Sequence, residues 1–382
     1  MTSQPFANNA FVYIDTDTGL QQAAAEWAHC DCVALDTEFM RVTTFYPQAA
    51  LFQIATPGYC FLVDPLPISD FSPLIELLEN PEIVKVMHSC SEDLEVFNVF
   101  LNCQPQAIYD TQIGAAFLGH GLSIGYKNLV DGIFNVDLPK GEQRSDWLQR
   151  PLSQKQLTYA AQDVTYLIEL YRQQVVALEK KGWLGWAKQE CEEMLNKQRR
   201  NGDPAEAYLK VKGANRLDFE QVQTVYLLAK WREIEARERD IPRGFLLQDA
   251  QLLDIAQARP SHREALARID GIRRRVVRED GDTILSLVQQ SIDDEPHVPA
   301  FPEPLPPRAK PLIKELQSLL ADIAEKNDLI PELLLNRKAL VGMLTELMHS
   351  GEAKLPAELL DWKRALFGDQ LLDALAEMKG KV

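Results

Sequence analysis

Three short groups of residues carry the side chains best suited to chemistry: Asp36-Thr37-Glu38, Asp93, and Tyr159 with Asp163. Asp36 and Glu38 close the apolar run Cys32-Val33-Ala34-Leu35, which reads as a buried strand. Residues two apart in a strand point to one face, so both carboxylates project together. Tyr159 and Asp163 are four apart in a helical pattern and share a helix face. Asp93 follows the run Ile83-Val84-Lys85-Val86-Met87, and Ser89 with Glu92 three residues on predicts a capping box that opens a helix. Asp93 then falls in the first helical turn past a strand's carboxyl end, where open α/β sheets place their sites. Clustered carboxylates repel one another unless a cation neutralises them, and the hard ions Mg²⁺ and Mn²⁺ take oxygen ligands. Taken singly, each group has an ordinary explanation: a solvated loop entry, a carboxylate that complements a helix dipole, a surface hydrogen-bonding pair. Their conjunction on these elements points to a site for divalent metal.

The elements that would hold these residues are legible in the pattern. Residues 11–16 read as a strand and 20–27 as a short helix ahead of the Asp36 strand. Residues 51–55 and 60–63 read as strands joined by the turn Thr56-Pro57-Gly58-Tyr59. Alternation follows: helix 72–79, strand 83–87, helix 91–101, strand 107–110, helix 111–118. An antiparallel meander that passes into β-α-β alternation predicts a mixed sheet flanked by helices. The Tyr159/Asp163 helix is expected over 153–180, packing through Leu157, Ala160, Ala161, Val164, Leu167, Ile168 and Tyr171. Residues 141–151 read as a loop near the site, with Lys140, Arg144 and Arg150 facing substrate phosphates or water. Beyond residue 200 the strand pattern gives out. Residues 219–235, 249–258 and 283–290 read as amphipathic helices, and Ile269-Asp270-Gly271-Ile272 as a helix-turn-helix joint. Residues 295–311, with seven prolines, form a stiff linker, and 311–379 give another helical set.

The words around these residues carry a resemblance. Leu-Asp-Thr-Glu-Phe (35–39), His-Ser-Cys-Ser-Glu-Asp-Leu-Glu-Val-Phe (88–97), Tyr-Asp-Thr-Gln (109–112) and Tyr-Ala-Ala-Gln-Asp-Val (159–164) resemble the motifs of the DEDD exonuclease superfamily. They fall in the subgroup whose third motif is Tyr-x-x-x-Asp, and within it are similar to the ribonuclease D family. The likeness is close over the first half; the second half resembles tandem HRDC modules on weaker motifs. The resemblance implies an α/β ribonuclease H-like exonuclease domain over 1–200, HRDC-like all-α domains over 211–292 and 312–382, and a Pro-rich linker over 293–311. It implies hydrolysis of the terminal phosphodiester at an RNA 3′ end, with release of nucleoside 5′-monophosphates. Transfer RNA precursors and other structured RNAs are the implied partners, and a monomer the implied state. Asp36, Glu38, Asp93 and Asp163 would hold two divalent metal ions, Mg²⁺ or Mn²⁺, about 3.5–4 Å apart to clamp the attacking and leaving oxygens. Glu38 would also meet the terminal sugar hydroxyl, and Tyr159 would orient the attacking water, since a phenol of pKa about 10 is a poor base near neutrality. Phe39 and Met40 would pack on the terminal base, unless Phe39 belongs to the core. His88 would approach substrate or be structural.

Composition bounds the rest. The 382 residues exceed one typical core, so two or three domains are expected. No basic segment followed by an apolar run opens the chain, and no stretch approaches the ~18 apolar residues of a membrane span. Six cysteines with no Cys-x-x-Cys pairing fit no zinc signature and suit reduced thiols in the cytoplasm. The net charge of −16 is uneven: 1–195 carry −14, 196–280 carry +4 and 281–382 carry −6. The acidity sits with the candidate metal ligands. The one basic segment holds Lys197, Arg199, Arg200, Arg278 and the run Arg273-Arg274-Arg275, which would touch phosphate or form a solvated face. Three readings stay open: a 3′→5′ exoribonuclease, a DNA 3′→5′ exonuclease with the same chemistry, and a catalytically silent RNA-binding scaffold. The absence of helicase or polymerase motifs favours the first over the second, and the intact five-residue set argues against the third.

Overall fold

A computed structural model describes residues 11–139, 141–200, 202–293 and 305–380. It divides into two compact units: one takes in the chain up to Met40, Gln48–Arg199 and the segment from Pro304 on, and the other takes in Arg41–Pro47 and Arg200–Glu303.

The first unit is built on a six-stranded mixed sheet: β1 (Phe11–Ile14), β2 (Cys32–Met40), β3 (Gln48–Ala55), β4 (Cys60–Val63), β5 (Val84–Met87) and β6 (Ile108–Asp110), in the spatial order β1-β4-β3-β2-β5-β6. β2, β3 and β4 form the expected antiparallel meander, while β1 joins β4, β5 joins β2 and β6 joins β5 in parallel. β2 is a central strand, and its first four residues are buried on both faces, which is why they read as a continuous apolar run. It runs past Asp36 and Glu38 to Met40, so both carboxylates lie within the strand rather than at its end. β5 pairs only with Cys32–Ala34, so one edge of β2 is free of strand pairing from Leu35 onward. That gap lies beyond the carboxyl end of β5, and a bulge between Glu38 and Phe39 then turns the strand.

Helices α1 (Asp17–Trp27), α2 (Ser72–Glu79), α3 (Ser91–Leu101), α4 (Thr111–Phe117), α5 (Tyr126–Phe134), α6 (Gln154–Thr165), α7 (Leu167–Lys181) and α8 (Leu184–Arg200) flank the sheet. One face packs Trp27, Phe52, Leu74 and Phe97; the other packs Leu51, Leu62, Trp147, Ala160 and Val164. The single helix expected over 153–180 is two, because α6 and α7 break at Tyr166. The cause is a side chain inserted into the helical ladder. In a continuous helix the Tyr166 N–H would bond the Gln162 carbonyl; instead it donates to the Tyr126 hydroxyl at 3.0 Å, which donates to that carbonyl at 3.1 Å. Ser153 opens α6 with a capping box to Gln156.

The second unit holds 3₁₀ turns at Pro204–Lys210 and Ala214–Arg216, then α9 (Phe219–Glu238), α10 (Arg243–Leu246), α11 (Asp249–Ala258), α12 (Arg263–Leu266) and α13 (Arg274–Asp293). It has its own apolar core around Val225, Leu228, Leu252, Ile255 and Ile284. The last helix is far longer than 283–290 and begins inside the arginine run. Helices α14 (Ala309–Lys326), α15 (Pro331–Leu334), α16 (Arg337–Ser350) and α17 (Asp361–Met378) complete the chain and belong to the first unit. There Trp362 stacks on Trp186 of α8 at 5.0 Å, meets Phe117 of α4, and donates its indole N–H to Glu190. Of the Pro-rich stretch, 294–304 lies outside the described residues, while Pro311 sits in the first turn of α14, where a missing N–H costs little.

Candidate active site

Asp36 and Glu38 project from β2 onto the face covered by α6, and Tyr159 and Asp163 project from α6 toward them. With Thr37, His88, Tyr126, Gln143 and Leu167 they line a cavity of about 250 Å³. Carboxylate oxygens of Asp36, Glu38 and Asp163 lie within 4.8 Å of one another. Asp93, at the start of α3, is neither in that oxygen group nor among the lining residues; its buried carboxylate accepts a 2.5 Å hydrogen bond from the Thr37 hydroxyl, and its charge acts on Asp36 and Glu38. Among the described residues, none that lines the cavity is a lysine or an arginine.

The electrostatics follow from that arrangement. Burial first, then the charges of Asp163 and Asp93, push Glu38 up to about 9. Burial, with Asp93, Asp163 and Glu38 beside it, holds Asp36 well above the carboxylate range. Burial raises Asp163 to about 7 against a hydrogen bond from Tyr159 that favours its anion. Burial likewise raises Asp93 to about 6, opposed by the Thr37 bond. Four acids held up in this way, with no cation lining the cavity among the described residues, form a donor set of hard oxygens that a divalent metal would satisfy. Tyr159 is raised above its ordinary value by burial and by the charges of Asp163 and Glu38, so it is a neutral phenol throughout the physiological range.

The supports of this centre come from residues that spacing alone did not single out. The capping box expected between Ser89 and Glu92 does not form: α3 starts at Ser91 with no side-chain cap. Asp110 does that work instead. Its carboxylate accepts from the N–H groups of Ser89 and Cys90 at 3.0 Å each and of Gln112 at 2.8 Å, tying the starts of α3 and α4 to the end of β6. A long-range contact of this kind leaves no local signature. His88 lines the cavity, yet both ring nitrogens are engaged, Nδ1 with the Thr111 hydroxyl and Nε2 with the Ile124 carbonyl, at 2.9 Å each. A carbonyl only accepts, so Nε2 carries the proton; burial holds the ring below its ordinary pKa and therefore neutral. Arg150, expected to face phosphate or water, grips Asp64 through two bonds of 2.6 and 2.7 Å and donates to the carbonyls of Ala50 and Trp147. Tyr13 donates to the same Asp64 carboxylate at 2.5 Å. Arg150 thus pins the loop that carries Gln143 and Trp147 against β3 and β4. Arg144 is exposed, and Lys140 lies outside the described residues.

The remaining candidates sit apart from the cavity. Phe39 points to the opposite face of the sheet and packs against that core. Met40 is on the Asp36 face and packs at the edge of its core. Arg273, Arg274 and Arg275 are exposed in the second unit, where Arg273 lies over the Phe245 ring at 4.8 Å and Arg275 and Arg278 both pair with Glu279.

Comparison with known proteins places this geometry. A 3′-5′ exonuclease family matches residues 11–178, and an HRDC domain family matches 222–288. Ribonuclease D of Pseudomonas paraeruginosa is 41% identical over 367 residues, covering 95% of this chain and 97% of that protein. The chain belongs to the ribonuclease D family. Ribonuclease D of Escherichia coli is 35% identical across 95% of this chain and 98% of its own. The crystal structure of E. coli RNase D, an exoribonuclease involved in structured RNA processing, superposes with a TM-score of 0.88 over 96% of this chain and 99% of that one. The catalytic core of RRP6 from Trypanosoma brucei, at 23% identity and a TM-score of 0.61, shares the fold. As a ribonuclease D-family member the protein is a 3′→5′ exoribonuclease, a hydrolase acting on RNA, and the family's dependence on divalent metal matches the oxygen cluster between β2 and α6. Among the described residues no helix is long and apolar enough to cross a membrane.

Proposed function

We propose that this protein is a cytoplasmic, monomeric enzyme that trims the 3′ ends of structured RNAs, tRNA precursors among them, one nucleoside 5′-monophosphate at a time. The observation that carries the reading is the group Asp36, Glu38 and Asp163, whose oxygens fall within 4.8 Å of one another under the Tyr159 phenol. The involvement of the E. coli relative in structured RNA processing supports the choice of substrate. Asp36, Glu38, Asp93 and Asp163 would hold two divalent ions, Mg²⁺ or Mn²⁺. When bound, these ions neutralise the carboxylates and stabilise charge on the attacking and leaving oxygens of an in-line displacement.

The chain's own residues supply position. Tyr159, neutral at working pH, cannot act as the base; its hydroxyl orients the attacking water beside Asp163. Thr37 fixes the Asp93 carboxylate, and Asp110 fixes the turn from which Asp93 springs. Glu38 receives the terminal sugar, and Met40, on the same strand face, meets the terminal base; Phe39, on the opposite face of the sheet, takes no part. Arg273, Arg274 and Arg275 contact phosphates farther along the RNA. The domains that divide this labour are an exonuclease domain over 1–200, helical modules over 211–292 and 312–382, and the linker over 293–311. The test is a 3′-labelled structured RNA and a DNA of the same sequence, each incubated with the protein in Mg²⁺ or EDTA. Mg²⁺-dependent release of labelled 5′-monophosphate from RNA, with DNA cut far more slowly, is expected. Equal cleavage of DNA would mark a DNA exonuclease, and no cleavage at all a silent scaffold.

A further inference from the structure

Gln53 is fully buried, and neither its amide oxygen nor its amide nitrogen has a hydrogen-bond partner among the described residues. Its place in the sheet makes that unusual. Gln53 is directly opposite Asp36 in the antiparallel β2–β3 pair and opposite Leu62 on β4. Directly paired residues share one face, with Cβ atoms about 4.5–5.5 Å apart. On that face it is flanked by Leu51 and Ala55 on β3 and paired directly with Leu62 on β4 and Asp36 on β2, with Ala34 and Glu38 diagonal to it; of its direct pairs only Asp36 has a polar side chain. Helix α6 closes the face from above, against β2, β3 and β4. A buried amide left without a partner is a cost to the fold that a leucine or methionine would avoid.

We propose that Gln53 is a positioning residue for Asp36: its amide nitrogen, opposite Asp36 and without a partner in the metal-free structure, donates to the Asp36 carboxylate once bound divalent metal ionises it, and holds it in the orientation that the metal requires. The inference rests on Asp36 being a metal ligand, as in the function proposed above. A ligating carboxylate is ordinarily oriented by a hydrogen bond from outside the metal shell, and removing such a partner costs about 10–100-fold in metal affinity or activity. Gln53 is the side chain on this face of the sheet placed to serve Asp36 in that way.

The experiment compares the full-length protein with Gln53→Met, Asp36→Asn and the double variant. It reads Mn²⁺ affinity by calorimetry, melting of the metal-free protein, and kcat and KM on RNA. Wild type must bind Mn²⁺ and Asp36→Asn must lose affinity; if either fails, the ligand assignment fails, whatever Gln53 does. With that established, Gln53→Met is expected to bind Mn²⁺ about 10–100-fold more weakly and to lose kcat with little change in KM. The loss should vanish in the Asp36→Asn background, because the two residues act as one unit. Metal-free Gln53→Met should melt at or above wild type. Unchanged affinity and kcat, an equal loss in both backgrounds, or a metal-free variant that fails to fold would each overturn the proposal, since each makes Gln53 a core residue that does not act through Asp36.

Discussion

Metal binding should expel protons, and the site geometry says how many. With Glu38 at about 9, its carboxyl is largely protonated in the metal-free protein at pH 8, and burial with Asp93, Asp163 and Glu38 beside it also holds Asp36 well above the ordinary range. A ligating carboxylate must be ionised, so binding at pH 8 releases about 0.9 proton from Glu38. At pH 6 Asp163, at about 7, adds about 0.9 and Asp93, at about 6, about half. Between pH 6 and 8 the contributions of Glu38, Asp163 and Asp93 together raise apparent metal affinity about a thousandfold or more. The same shifts set the metal-free stability. Folded pKa values above the unfolded ones stabilise the protein at low pH, and that stability is lost as pH rises through about 6 to 9. Saturating metal should abolish the decline. Calorimetric titration of Mn²⁺ at pH 6, 7 and 8, in buffers of differing ionisation enthalpy, counts the protons directly. An affinity that changes less than about tenfold across that range, with no proton release, would refute this electrostatic account of the site.

Three further outcomes are expected. Tyr159→Phe should lower turnover while leaving metal affinity nearly unchanged, since the phenol positions water and is not a ligand; a parallel collapse of metal affinity in calorimetry would make it one. Arg150→Met strands the Asp64 carboxylate, which is 5% exposed, and should cost about 2–3 kcal/mol in denaturant unfolding, below the value for a fully buried pair because the arginine side chain is 23% exposed. Replacing Arg273, Arg274 and Arg275 together with alanine should weaken RNA binding and flatten the slope of log affinity against log salt by roughly 0.7–0.9 for each phosphate the arginines neutralise, with turnover on short RNA unchanged; an unaltered slope makes the cluster a solvated face.

How far the sequence could be read depended on the range of the interactions. Strands such as Cys32-Val33-Ala34-Leu35 declared themselves because burial on both faces demands continuous apolar residues. The pairing of Tyr159 with Asp163 followed from helical spacing alone. What escaped the sequence is what the chain brings together across distance. Tyr126 breaks a helix 36 residues away by inserting its hydroxyl at Gln162, and Asp110 caps a turn 20 residues upstream at Cys90. Arg150, which by composition is one more loop cation, is committed to Asp64, 86 residues away. The C-terminal helices read as amphipathic, yet nothing local says that Trp362 stacks on Trp186. The orientation of Phe39 was within reach of the sequence, because the strand alternation that puts Asp36 and Glu38 on one face sends Phe39 to the other.

The central claim is that a carboxylate centre on β2 and α6 performs the hydrolysis, and Asp163→Asn tests it most directly. The amide keeps the shape of the side chain and loses the charge. Turnover should be measured on 3′-labelled RNA at saturating Mg²⁺, alongside melting of both proteins. The account predicts a fall of at least about 10²–10³-fold, as for loss of one preorganised electrostatic group, with melting at or above that of wild type without metal. Near wild-type release of 5′-monophosphates by a folded Asp163→Asn protein would contradict it.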